Sequence, residues 1–180
     1  MTDITSIQLN KADQSPTTLG EWDGKVLLVV NVASKCGLTP QYEALQKLHD
    51  HYAGQAFSVI GMPANDFKEQ EPGSDAEIQE FCQVNYGVTF PVLSKITVTG
   101  ADKHPLDTAL TAAHPETPDR ERFATALKGY GIEPTAAPEV LWNFEKFLIG
   151  KDGAVIARFS PDTAPDDAAV AAAIEAALAA

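Results

Sequence analysis

Cysteine is scarce here. Cys36 and Cys82 are the only two in 180 residues, too few for a disulfide framework. In a reducing compartment a lone pair is more often catalytic, metal-binding or sensory. Their separation makes no C-x-x-C motif, and a structural zinc site would need a second pair. Positive charge is also in the minority, with 13 Lys and Arg against 25 Asp and Glu and a net charge of −12. That balance disfavours nucleic acid and anionic membrane surfaces as partners. The longest apolar run, "VLLVVNVA" at 26–33, is far too short to span a bilayer, so no membrane insertion is expected. The polar start "MTDITSIQLNKADQ" has neither the basic opening nor the apolar stretch of a signal peptide. A soluble, cytoplasmic protein is the expectation. Internal repeats and long charge blocks are missing as well.

What is present suits one domain over residues 1–180: 44% of residues are hydrophobic and 21% charged. Residues 5–20 read as a short hairpin. "GKVLLVVNVAS" is a continuous β-branched run, the pattern of a strand buried on both faces. Thr39 and Pro40 suggest an N-cap and a first-turn proline, followed by Tyr42, Leu45, Leu48 and Tyr52 at helical spacing up to Gly54. "AFSVIGM" at 56–62 is a second strand, parallel to the first if the crossover is right-handed. Ser74 and Glu77 form a capping-box pattern opening a helix with Ile78, Phe81 and Cys82 on one face. "TFPVLSKI" reads as an edge or short strand because of Pro91. Residues 111–140 hold four prolines around a possible helix, "DRERFATALKG", and read as an insertion. A hairpin around "GKDG" and a final helix carrying Val170, Ile174 and Leu178 complete the chain. This order is that of a thioredoxin-like α/β fold, with a central mixed sheet flanked by helices and an N-terminal hairpin.

In open α/β sheets, sites form at the carboxyl ends of parallel strands. Cys36 follows the first of the two strands and "NDFKEQEPG" (65–73) follows the second, so both should open at one sheet edge. Cys36 precedes a helix and neighbours Lys35, which favours a thiolate. Buried packing is the plain alternative for a free cysteine; a strand-to-helix loop is a poor place for it, but it is the default for Cys82 on its apolar helix face. The four histidines make poor metal or base candidates: His49 and His51 read as solvated helix residues, His104 and His114 as surface positions before prolines. No metal or cofactor site is visible.

With "NVASKCG", "NDFKEQEPGS", "FCQVNYGVTFP" and "WNFEKFL" in order, the chain resembles the glutathione peroxidase family over nearly its full length. It is most similar to the non-selenium, two-cysteine branch. The peroxiredoxin motif fails, since Val29 and Ala33 stand where proline and Ser or Thr are needed. The resemblance implies a peroxidase acting on hydrogen peroxide and organic hydroperoxides. It implies Cys36 as the peroxidatic residue, with Gln70, Trp142 and Asn143 completing a tetrad and Cys82 as the resolving cysteine. It implies thioredoxin as reductant, with glutathione as the alternative and Cys82 then merely structural. The same residues would serve a peroxide sensor, and an inert binding module is the remaining option. If Cys82 is to meet Cys36, the helix near 75–86 is expected to unwind or shift, because a disulfide needs Cα atoms roughly 4.4–6.8 Å apart.

Two departures stand out. Asp66 and Lys68 replace the family's usual Gln and Gly before "QEPG". A glycine position with φ > 0 would make Lys68 cost on the order of 1 kcal/mol. A carboxylate at Asp66 close to the thiol would raise the Cys36 pKa, with Lys68 as a possible offset. Ala64 stands where many relatives have a further cysteine.

Overall fold

The computed structural model describes residues 3–180. The N-terminal hairpin is present but minimal: β1 (Leu9–Asn10) pairs antiparallel with β2 (Pro16–Thr17). The main sheet has four strands in the order β4-β3-β5-β6. They are β3 (Val26–Val32), β4 (Phe57–Pro63), β5 (Lys146–Ile149) and β6 (Val155–Phe159). β3 runs parallel to β4 and antiparallel to β5, and β5 runs antiparallel to β6. Every residue of β3 and β4 is buried, as their unbroken apolar runs require.

Among the described residues there are five α-helices: α1 (Gln41–His51), α2 (Asp75–Tyr86), α3 (Pro105–Ala113), α4 (Arg120–Gly129) and α5 (Ala168–Ala179). α3 lies over the face that carries Val29, Asn31, Met62 and Phe147. α1 and α5 lie side by side and pack on β4 and β3, closing the other face. α2 packs on α1 through Tyr42, whose ring stacks on Tyr86 at 5.4 Å and meets Phe81 edge-on at 6.5 Å. The fold is the thioredoxin-like arrangement the element order predicts.

Several local expectations need correction. α1 stops at His51, short of Gly54, and Thr39 does not cap it: Pro40 stands at the cap position with no side-chain bond. "TFPVLSKI" forms isolated bridges to Gly61, Ala64 and Lys11 rather than a continuous strand. The segment 111–140, read as an insertion, is packed into the fold. It begins inside α3, which the sequence pattern did not reveal, and α4 buries Phe123, Ala124 and Leu127. The buried Arg158 guanidinium donates to the carbonyls of His114, Pro138 and Glu139, fastening this segment to β6. His49 is half-buried, accepts the Val59 N–H at 3.4 Å and meets Phe90 edge-on. His104 caps α3 by accepting the Leu106 N–H at 3.0 Å. His114 is also partly buried. Among the described residues no helix is long and apolar enough to cross a membrane.

Candidate active site

Strand register decides where the site forms. Val32 pairs with Pro63, so β3 and β4 end together. Val30 pairs with Lys146, the first residue of β5, so the turn before β5 arrives at that same end. The Cys36 loop, the 64–73 loop and the 141–145 turn therefore meet at one sheet edge. The Lys35 N–H donates to the Gln70 carbonyl at 2.9 Å, joining the first two. The Asn143 side-chain amide donates to Gln70 Oε1 at 3.2 Å, joining the second and third.

Cys36 lies in irregular backbone before α1 and is only 7% exposed. Thr39, freed from capping, shapes this loop. Its Oγ1 accepts the Cys36 N–H at 3.0 Å and donates to the Ala33 carbonyl at 2.8 Å. The Leu38 N–H points at the sulfur, 3.3 Å from Sγ. Burial pushes the Cys36 thiol above its ordinary value. The Leu38 N–H opposes this most, followed by the Trp142 and Asn143 side chains and the Thr39 backbone. The expected help from Lys35 and the helix end is not what acts on the sulfur: Lys35 is exposed, and α1 begins only at Gln41. Fixed neutral donors take that role, and burial still outweighs them.

The 141–145 turn is gripped on two sides. The Asn31 side chain donates to the Trp142 carbonyl at 3.1 Å, and the Asn31 carbonyl accepts the Phe144 N–H at 2.6 Å. Glu145 accepts the Leu141 N–H at 3.0 Å and forms a fully buried ion pair with Arg158. Trp142 packs on Phe67 at 5.1 Å, and Asn143 is fully buried with its Oδ1 unpaired. Asn31, Glu71 and Lys146 escaped the sequence reading, and Thr39 was read as a helix cap rather than as a brace of the loop. A lone polar residue inside "VLLVVNVA" and a lysine inside "FEKFLI" were the available signals.

Both departures from the usual pattern have structural answers. Lys68 sits at φ +55 and Glu69 at φ +52, so the glycine position does require the left-handed region, at a strain of about 1 kcal/mol. Asp66 is not a neighbour of the thiol. Its Oδ2 accepts the Val98 and Thr99 N–H groups at 2.7 and 2.9 Å, which fixes the loop after "TFPVLSKI" and leaves Cys36 untouched.

Cys82 is free and 2% exposed, in the middle of α2. Burial pushes its thiol up to about 11, with the Tyr42 hydroxyl opposing and the Glu71 charge adding to the rise. Glu71 is itself buried with neither carboxylate oxygen paired. Burial raises its pKa against a smaller pull from Ser34. Among the described residues no cluster of His, Cys, Asp or Glu could hold a metal ion.

A glutathione peroxidase family profile matches residues 4–111. The chain belongs to the glutathione peroxidase family. It is 50% identical over 178 residues to thioredoxin/glutathione peroxidase BtuE of Escherichia coli, covering 98% of this chain and 97% of that one. It is 42% identical to a hydroperoxy fatty acid reductase of Synechocystis, covering 92% and 91%. The solved structure of Trgpx in apo form superposes with a TM-score of 0.72 at 33% identity, covering 99% and 97%. This glutathione peroxidase family member is thus a peroxidase that reduces hydroperoxides. The profile match stops at residue 111, so Trp142 and Asn143 lie beyond it.

Proposed function

We propose that this peroxidase works through Cys36, with Gln70, Trp142 and Asn143 as donors, Cys82 as resolving cysteine and thioredoxin as reductant. The carrying observation is the convergence at one sheet edge of a buried thiol, the Leu38 N–H, and two side-chain donors brought in by the 141–145 turn. The Cys36 thiolate attacks one peroxide oxygen, the O–O bond breaks, and the other oxygen leaves as alkoxide or hydroxide. It takes up the proton the thiol gave and departs as alcohol or water. Cys36 is left as a sulfenic acid. Negative charge passes from sulfur to the departing oxygen, and neutral donors aimed along that path stabilise both ends.

In the second step the Cys82 sulfur bonds to Cys36, the sulfenic oxygen leaves as water, and a disulfide results. The groups acting on the Cys82 sulfur here are Tyr42 and Glu71, not Cys36. Cys82 also sits inside a helix closed by the Ser74–Glu77 capping box and by Gly87 at φ +58. Resolution therefore requires α2 to open. Its N-terminus is the better anchored end, because Asp75 accepts from Gln14, Ser94 and the Lys95 N–H. The Cys82–Tyr86 half is the part that unwinds. Thioredoxin then reduces the exposed disulfide by thiol exchange.

The test is peroxide-dependent NADPH oxidation, coupled in parallel to thioredoxin with its reductase and to glutathione with its reductase. Hydrogen peroxide and a fatty acid hydroperoxide serve as substrates. Turnover with thioredoxin that disappears in Cys82→Ser is the expected result. Turnover with glutathione alone, indifferent to Cys82→Ser, returns Cys82 to a packing role.

A further inference from the structure

Lys146 opens β5 and is fully buried, yet it has no carboxylate partner. Its Nζ donates to three main-chain carbonyls: Phe144 at 2.6 Å, Pro161 at 3.3 Å and Ser160 at 3.4 Å. The neighbouring carboxylate is engaged elsewhere, since Glu145 pairs with Arg158. A buried ammonium without a counter-ion is costly, and here only main-chain carbonyls offset that cost. Burial draws its pKa down to about 7, against smaller opposing effects from Glu145 and Asp162. The shortest of its bonds goes to Phe144, the residue after Asn143, at φ +69. Asn31 already holds this turn from the β3 side, and Lys146 holds it from the β6 side. Pro161, its second anchor, also accepts from the Gln41 side chain at the start of α1.

We propose that Lys146 is a positioning residue of the peroxidase reaction: by holding the Phe144 carbonyl it sets the Trp142 and Asn143 donors on the Cys36 sulfur. This rests on the assignment of Cys36, Trp142 and Asn143 above, but not on the identity of the reductant. Without the ammonium, the turn relaxes toward a less strained backbone and its two donors move off the S–O–O path. Misplacement of a donor by a fraction of an ångström is enough to slow the reaction.

The experiment uses full-length protein in a Trp22→Phe background, so that Trp142 is the sole indole. Stopped-flow fluorescence follows the reaction of reduced protein with hydrogen peroxide, and Cys36 alkylation is measured against pH. Lys146→Met, which removes all three donors, is expected to slow Cys36 oxidation about 10- to 100-fold. It should also shift the Cys36 alkylation profile to higher pH and change the resting Trp142 emission. Lys146→Gln keeps a neutral NH2 with two N–H donors, recovers part of the rate, and serves alone if the methionine variant does not fold. A loss of rate with unaltered Trp142 emission would assign the effect to charge rather than position and overturn the proposal. So would a folded variant with a lower melting temperature but the parental rate. Failure of the parent protein itself to respond to peroxide would instead strike at the Cys36 assignment.

Discussion

Cys36 and Cys82 are buried almost equally, at 7% and 2% exposure, yet their surroundings differ in kind. Cys36 lies in irregular backbone at a strand end, where the Leu38 N–H is free to point at sulfur and two side chains from a remote turn join it. Cys82 lies inside α2, where each backbone N–H is already committed to the carbonyl one turn back. Only the Tyr42 hydroxyl opposes its burial, and its thiol rises to about 11. Burial alone does not make a thiol inert; what decides is whether the backbone around it has donors to spare. A loop can offer them and a helix interior cannot.

The sharpest way to break this contrast is to exchange the roles. Cys36→Ser should abolish peroxide consumption in a coupled assay. Cys82→Ser should leave the first oxidation of Cys36 at its parental rate in stopped-flow measurements, while thioredoxin-coupled turnover is lost. Next in size is the donor set. Asn143→Ala should slow Cys36 oxidation by roughly 10²-fold, the usual effect of losing one donor to a developing anion, with a far-UV spectrum like the parent's.

The sign of the Cys36 shift gives a pH prediction. Its pKa is raised in the folded protein, so between pH 6 and 8 the thiolate is the minor form and grows with pH. The second-order rate with peroxide should rise about tenfold per pH unit up to about pH 7 and less steeply above it, where Lys146 loses its proton. A flat profile there would mean that the donors outweigh burial. Thr39→Val comes next. It leaves the Cys36 N–H and the Ala33 carbonyl without their shared partner. It should reduce stability by about 1–3 kcal/mol in urea unfolding and slow Cys36 oxidation. The smallest effect belongs to Lys68→Gly. Relief of left-handed strain, less the added chain entropy of glycine, leaves a gain of about 0.5 kcal/mol.

The same contrast explains what could be read from the chain. β3 and β4 are fully buried runs, so their apolar composition announces them, and the Ser74–Glu77 box marks α2 to the residue. The convergence of Cys36 with the 64–73 loop follows from the parallel pairing of those two strands. Trp142 and Asn143 were reached by resemblance alone, because what brings them in is the register of β5 against β3, which local sequence does not encode. Thr39 was misread for a physical reason. Its hydroxyl could cap a helix or brace a loop, and the competing partners, Cys36 and Ala33, become visible only in three dimensions. Asp66 looks threatening beside a thiol in sequence, yet its carboxylate faces the 98–99 backbone. How segment 111–140 is held was not legible, because Arg158, which ties it down, lies on a strand well beyond it.

One measurement tests the central contrast most directly: the alkylation rate of each cysteine against pH, resolved by peptide mass spectrometry on the reduced native protein. Cys36 should react faster at every pH and reach half its limiting rate at a lower pH than Cys82, whose profile should rise only toward pH 11. A Cys82 that ionises at or below the pH of Cys36 would contradict the claim that spare backbone and side-chain donors, rather than burial, set the two thiols apart.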